Sequence, residues 1–367
     1  MSRPHRSTLL TGTAVSLLVL TACSQSDDAG AAAPTTGSSA PQEATADAPA
    51  PFSDGPVEVA LVRQSGAGDY FEAWGQGAAA QAEAAGIELS VTDARNDNAR
   101  HAADLEQAIA ARPDAIVVDH GQTDTIAPLV QEAVDAGIPV VVYDLELPAT
   151  EGVVVTSQSD AGMAEGVLDQ LVEDVGPGSP VGLVSASGFA PLDRRGEVWQ
   201  RYLGEHDLDQ RFSTGEVTES TATDNIPLAD AALKQHPDVE AVFAPYDEIA
   251  KGVVQAVLQN GLEDGVRVYG IDISNADIEV MTAEGSPWVA TSATDPTQVG
   301  AAVVRVTALE LAGQLAEDAV QFPAVTVTQD FLRDNGITSV DQLREAEPAL
   351  RLDDVAVADW LPNAAGS

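Results

Sequence analysis

The sequence is poor in positive charge. Its 17 Lys+Arg face 58 Asp+Glu, a formal net charge of −41, and Lys234 and Lys251 are the only lysines. Nucleic-acid binding needs clustered Lys and Arg against phosphates, so this composition excludes that partner. Cysteine is nearly absent: the one Cys excludes an internal disulfide and a cysteine-based metal cluster. Long apolar runs are missing too. The longest, Leu9 to Leu20, falls short of the ~20 residues a membrane-spanning helix needs. Catalytic signatures are also lacking, with neither His-Glu-x-x-His nor Gly-x-Ser-x-Gly present. Gly66-Ala67-Gly68 opens a helix after a strand, but the third glycine of a dinucleotide-binding fingerprint would fall at Phe71. What is present is a 44% apolar chain of 367 residues, enough for about two packed domains.

Arg3, His5 and Arg6 precede the Leu9–Leu20 stretch, and Leu20-Thr21-Ala22-Cys23 follows. A basic start, a short apolar core and small residues form an export signal. The run into Cys23 resembles the bacterial lipobox, which implies removal of residues 1–22 and lipidation of Cys23. Residues 23–56 are small, polar and acidic, with Phe52 the only large hydrophobe. Such a segment cannot bury enough surface to offset its ordering entropy and reads as a disordered tether of about 30 Å reach. The chain is therefore expected outside the cytoplasm, held to a membrane surface by lipid.

From Val57 on, β-branched runs alternate with Ala-rich helical stretches. Strands are expected at Val57–Val62, Ile87–Val91, Ala115–Val118 and Pro139–Tyr143. A second set starts at Val153 and includes Val181–Val184, Phe212–Val217, Ala241–Ala244, Val266–Ile271 and Trp288–Thr291. This order predicts an α/β fold of doubly wound parallel sheets. The pattern echoes itself. Arg112-Pro113-Asp114 leads through a strand and helix into Tyr143-Asp144, and His236-Pro237-Asp238 leads the same way into Ile271-Asp272. Each aspartate falls just past a strand's carboxyl end, where open α/β sheets bind ligands. Two lobes facing edge to edge would bring both acids to one cleft; the plainer alternative is that each merely caps a following helix.

The stretch from Val57 to about Val327 resembles the ribose-binding type of periplasmic sugar-binding protein, the substrate-capturing subunit of ABC importers. The resemblance rests on Ala136-Gly137-Ile138-Pro139-Val140 with Asp144, on His236-Pro237-Asp238-Val239, on Asp247-Glu248, on Gly270-Ile271-Asp272 and on Arg195-Gly196-Glu197. It implies two similar lobes, residues 57–158 plus 295–322 and residues 159–294 plus 323–330, joined by three hinge crossings near Gln158, Thr294 and Phe322. A tail, 331–367, lies beyond it, where Ser339-Val340-Asp341-Gln342 has the form of a capping box.

The resemblance also implies site residues. Tyr70 and Phe71 match aromatics that stack on a sugar, Asp144 and Asp272 match ligand-binding aspartates, and Arg195 matches a ligand-binding arginine. Asp119 stands where ribose binders carry an amide, Tyr246 where they carry Asn and Thr294 where they carry Gln. Leu145 stands where they carry a second arginine, which leaves ribose itself in question among pentoses, hexoses, polyols and furanosyl signals. His120 is placed in a loop within reach of a ligand. The function implied is capture of a sugar-like small molecule by hinge closure and delivery to ABC permease subunits. It calls for no cofactor, no metal and no catalysis, and a monomer is expected. A protein presenting a sugar signal to a membrane receptor and an exported carbohydrate-active hydrolase are the alternatives.

Overall fold

The computed structural model describes residues 48–364. The export signal, Cys23 and most of the expected tether lie outside the described residues. In chain order the first elements are β1 (Val57–Arg63), α1 (Asp69–Ala85), β2 (Ile87–Asp93), α2 (Asn98–Ala111), β3 (Ala115–Asp119), α3 (Thr123–Asp135), β4 (Val140–Tyr143) and β5 (Val153–Gln158). There follow α4 (Asp160–Val175), β6 (Pro180–Val184), α5 (Ala190–Glu205), β7 (Asp209–Thr214), α6 (Thr221–Gln235), β8 (Ala241–Ala244), α7 (Asp247–Asn260), β9 (Arg267–Ile271), α8 (Asn275–Thr282) and β10 (Trp288–Ala293). The last are α9 (Pro296–Leu311), β11 (Ala319–Phe322), β12 (Val325–Thr328), α10 (Gln329–Asp334) and α11 (Val340–Ala346).

Two six-stranded sheets result, ordered β11-β5-β4-β3-β1-β2 and β12-β10-β9-β8-β6-β7. Every pair is parallel except β10 with β12. β3, β4 and β8 are buried throughout, as strands covered by helices on both faces must be. The sequence pattern starts its second set at Val153, but β5 pairs with β4 and belongs to the first sheet. The chain leaves that sheet after Gln158, returns after Ala293 and leaves again between Phe322 and Val325. Below, the first and second lobes are the units built on these two sheets.

Glycine fixes the seam between α1 and α9. A Cβ on Gly77 would sit 2.0 Å from the Thr297 carbonyl oxygen, and one on Gly300 would sit 2.0 Å from that of Trp74. The two helices touch backbone to backbone, which only residues without a side chain allow.

The last residues of the expected tether depart from expectation, whereas the capping box of the tail forms as expected. Ala48 and Phe52, in the expected tether, pack on the first lobe's core, and the Phe52 ring lies 4.9 Å from that of Trp360. Two large rings supply the apolar surface that the surrounding composition lacks. Ser339 caps α11, its hydroxyl accepting from the Gln342 N–H. The tail then passes between lobes: Leu350 is buried in the second lobe's core and Leu352 in the first's. Fully buried Arg305 holds it there by donating to the carbonyls of Leu352 (2.7 Å) and Val355 (3.1 Å).

Candidate functional site

The carboxyl ends of the two sheets face each other, and charged side chains collect between them. Asp144 follows β4 and Asp272 follows β9, in mirrored positions. Both have left-handed backbone, φ 47 and 77, as does His120 after β3 at φ 60. Non-glycine residues held there cost ~1–3 kcal/mol each and concentrate at functional sites. The peptide N–H groups are satisfied by the neighbouring strand: Asp144 donates to Thr156 and Asp272 to Ser292, both at 2.9 Å.

Asp160, at the start of α4, organises two arginines from α5. Arg194 donates to its Oδ2 through Nε (2.8 Å) and Nη2 (2.6 Å), and Arg195 donates to its Oδ1 through Nε (2.8 Å). Arg195 Nη1 also donates to the Pro245 carbonyl (2.7 Å) and to Asp272 Oδ2 (3.4 Å). Arg194 reaches across to Asp144 Oδ1 at 3.4 Å. Three carboxylates thus share two guanidiniums in a buried place. Burial, with Asp160 adding to it, pushes Asp144 up to about 6. Burial also raises Asp272, with Arg195 opposing.

A second network lies on the first lobe. Asp119 is fully buried and accepts from Arg63 Nε at 2.6 Å, while its other oxygen lies 2.7 Å from His120 Nδ1. Burial works against charge on His120, but the hydrogen bond and charge of Asp119 outweigh it and raise the imidazole. The ring is held at the cleft, edge-on to Phe71 with centroids 5.0 Å apart.

A cavity opens between the lobes, with about 60 Å³ available to the centre of a water molecule, several times the ~10–15 Å³ a single water requires. Of the residues expected at a site, Tyr70, Phe71, Arg195, Tyr246 and Asp272 line it, and so does loop-placed His120. Asp144, Asp119 and Thr294 do not line it. Asp144 turns to the hinge, where it accepts from the Gln158 backbone N–H (3.1 Å) and Nε2 (3.3 Å). Asp119 has both oxygens committed to Arg63 and His120. Thr294 donates to Gln158 Oε1 at 2.7 Å and is closed off behind it. Leu145 joins the first lobe's core and takes no part.

Sequence reasoning missed Gln64, Ser65, Asn96, Gln158, Phe189, Pro191, Leu192 and Val217, all of which line the cavity. Their shared signal was available: each follows, or ends, a parallel strand on the ligand-facing edge. The sequence pattern predicts a strand over Phe212–Val217. β7 instead ends at Thr214, because Gly215 has φ 121 and a Cβ there would lie 2.7 Å from the Ser185 backbone. The lobes also meet beside the cavity. Asn96 Nδ2 donates to the Thr218 carbonyl (3.0 Å), and Lys251 Nζ donates to Asp69 Oδ2 (2.6 Å).

Comparisons with known proteins agree with this architecture. A family model described as a periplasmic binding protein domain matches residues 59–315. A solved 5-methylthioribose transporter solute binding protein from Thermotoga lettingae TMO, in complex with 5-methylthioribose, is 37% identical. The match covers 83% of this chain and 97% of that one, with a TM-score of 0.81. The sugar ABC transporter structure from Yersinia enterocolitica is 27% identical, with 85% and 95% covered and a TM-score of 0.80. The ribose import binding protein of Salmonella typhimurium is 29% identical over 259 residues, 70% of this chain and 85% of its own length.

Proposed function

The chain belongs to the periplasmic binding protein domain family, and on that premise we propose that it captures a sugar or sugar-like molecule outside the cytoplasm and hands it to the permease of an ABC importer. The observation that carries this is the convergence of side chains from both lobes on one cavity. Gln64 and His120 come from the first, Arg195 and Asp272 from the second, and Gln158 from the crossing between them. Sugar hydroxyls donate and accept, and this set offers both functions: a guanidinium fork, an imidazole, carboxylate and amides. Phe71 and Tyr246, with centroids 6.2 Å apart, offer apolar faces for C–H groups. Relatives named for ribose and 5-methylthioribose support a guest of pentose size.

The mechanism is hinge closure. A guest that bonds to Asp272 and Arg195 on one side and to His120 and Gln64 on the other makes those contacts together only when the lobes are shut. Its binding therefore shifts the open–closed balance toward closed. The lobes are residues 57–158 plus 295–322 and residues 159–294 plus 323–330, and the closed face is the one a permease reads. In the same reading Asp144 and Thr294 act through Gln158, and Asp119 acts through His120. The protein works as a monomer, anchored to the membrane by lipidated Cys23 after loss of residues 1–22.

Calorimetric titration of the full chain with pentoses, hexoses and polyols tests the proposal. One binder at micromolar affinity or better is expected, weakened more than about tenfold by Asp272→Ala or Arg195→Ala, each of which leaves a buried polar group unpaired. A folded protein silent across the panel would sink the sugar assignment.

A further inference from the structure

We propose that the C-terminal tail is a fourth, nearly inextensible strap between the lobes, which limits how far they open and so keeps the unliganded molecule near its binding-competent form. Its effect on capture rests on the sugar-binding reading; its effect on opening does not.

Before the tail begins, the described chain crosses between lobes at 158–160, 293–296 and 322–325. The tail first docks on the second lobe. Val340, Leu343 and Leu350 are buried in that lobe's core, and the Val340 N–H donates to Asn275 Oδ1 on α8 (2.8 Å). From Leu352 on, it belongs to the first lobe. Leu352, Trp360 and Leu361 are buried in that core, and Arg305 donates to the Leu352 and Val355 carbonyls. Gln81 Nε2 donates to the Pro362 carbonyl (2.6 Å). Between these docks, Arg344 of α11 pairs with Asp295, whose side chain caps α9 where the second crossing enters the first lobe.

Two features make this a strap rather than a loose end. One is its length. Only Arg351 stands between Leu350 (1% exposed) and Leu352 (2% exposed), and two residues of extended chain reach about 7 Å at most. The other is its position. Arg305 lies well along α9 from Pro296, about 14 Å at the 1.5 Å rise of a helix. The first-lobe attachment thus stands off from the crossing at 293–296, which acts as a pivot. Rotation about the crossings displaces that attachment relative to the second lobe, and Arg351 alone supplies slack. Beyond that slack, opening has to draw Leu350 or Leu352 out of its core into water, which apolar burial opposes.

Both docks are complete while the lobes are in contact through Lys251 with Asp69 and Asn96 with Thr218. The strap therefore matches the shut arrangement and resists departure from it. Apparent affinity scales with the fraction of molecules in the competent form, so the restraint tightens capture without touching the guest. A tail that merely completed two cores would be indifferent to extra length between its docks.

That difference is the test. Insertion of Gly-Ser-Gly-Ser-Gly-Ser between Arg351 and Leu352 leaves both docks intact and adds about 20 Å of reach. Leu350→Ser releases one dock and decides the matter where the insertion variant fails to fold. Spin labels on exposed Glu106→Cys in α2 and Glu205→Cys in α5 of the full chain, with Cys23→Ser, report the distance between lobes. Without ligand, that distance is expected to lengthen and broaden in the variant. The tightest binder of a panel of pentoses, hexoses and polyols is expected to bind about three- to tenfold more weakly, with the ranking of sugars kept. Unchanged label distances overturn the strap. Longer distances with unchanged affinity overturn its part in capture. A panel silent for the parent protein overturns sugar capture and leaves the strap to be judged by the distances.

Discussion

Arg194 Nη2 on the second lobe lies 3.4 Å from Asp144 Oδ1 on the first, beside the hinge residue Gln158. Asp144 is fully buried and Arg194 keeps about a third of its side chain exposed, so the pair has one dry end and one wet end. It is an ion pair that crosses between the lobes beside Gln158, and neither of its residues lines the cavity.

Arg194→Ala should therefore weaken ligand binding without changing which ligand binds. About three- to tenfold is expected, since the lost pair is partly solvated and Asp160 keeps Arg195. Parallel titration of preferred and disfavoured sugars checks it. A change in their ratio would place Arg194 at the guest instead.

Asp144 and His120 should each add stability to the unliganded protein as pH falls from about 8 to about 5, with His101, which burial lowers, opposing them. Asp144 is pushed up to about 6 by burial and Asp160, and His120 is raised because Asp119 outweighs its burial. Both hold a proton more tightly in the folded chain than in the unfolded one, where they titrate near about 3.9 and 6.5. Stability is thus fully present below those unfolded values and is lost as pH rises through the folded ones. Melting temperature against pH reads this directly. Asp144→Asn should change the lower part of the slope and His120→Gln the upper part, each by removing stability gained on acidification; a slope unchanged in both variants contradicts the assignment.

Gly300→Ala should cost about 1–3 kcal/mol of stability by overpacking the α1–α9 seam, since its Cβ would meet the Trp74 carbonyl at 2.0 Å. Gly196→Ala in α5 has nothing within 4 Å of the new Cβ and should stabilise by about 0.5–1 kcal/mol through helix propensity. Denaturant unfolding of the pair separates the two effects.

Arg305→Met should free the tail. It removes the donors to Leu352 and Val355 while keeping a side chain that fills the space. Limited proteolysis is expected to cut between Leu350 and Trp360 faster than in the parent; equal resistance would show that Trp360 and Leu361 hold the tail alone.

Cys23→Ser should release the protein from membranes into the soluble fraction. Unchanged membrane retention in fractionated cells would refute the lipid anchor.

Much of the fold was legible in order. The mirrored runs into Tyr143-Asp144 and Ile271-Asp272 announced two α/β units with acids at matching strand ends, because buried parallel strands write themselves as uninterrupted Val and Ile. The site was legible only in part. Asp272, Arg195, Phe71 and Tyr246 line the cavity. Asp119, though adjacent to His120 in sequence, is captured by Arg63, whose strand runs in register beside it. Nothing local to Asp119 signals a partner 56 residues away.

The sequence by itself determined the periodicity, the turns after each strand and so which residues stand at the ligand-facing edge, since backbone chemistry and side-chain branching act over a few residues. Only the tertiary structure decided which of those residues face the cavity and which face each other. Burial turns a carboxylate toward the nearest donor wherever the chain brings one, so Asp144 went to Gln158 and Arg194 while Asp272 kept one oxygen free.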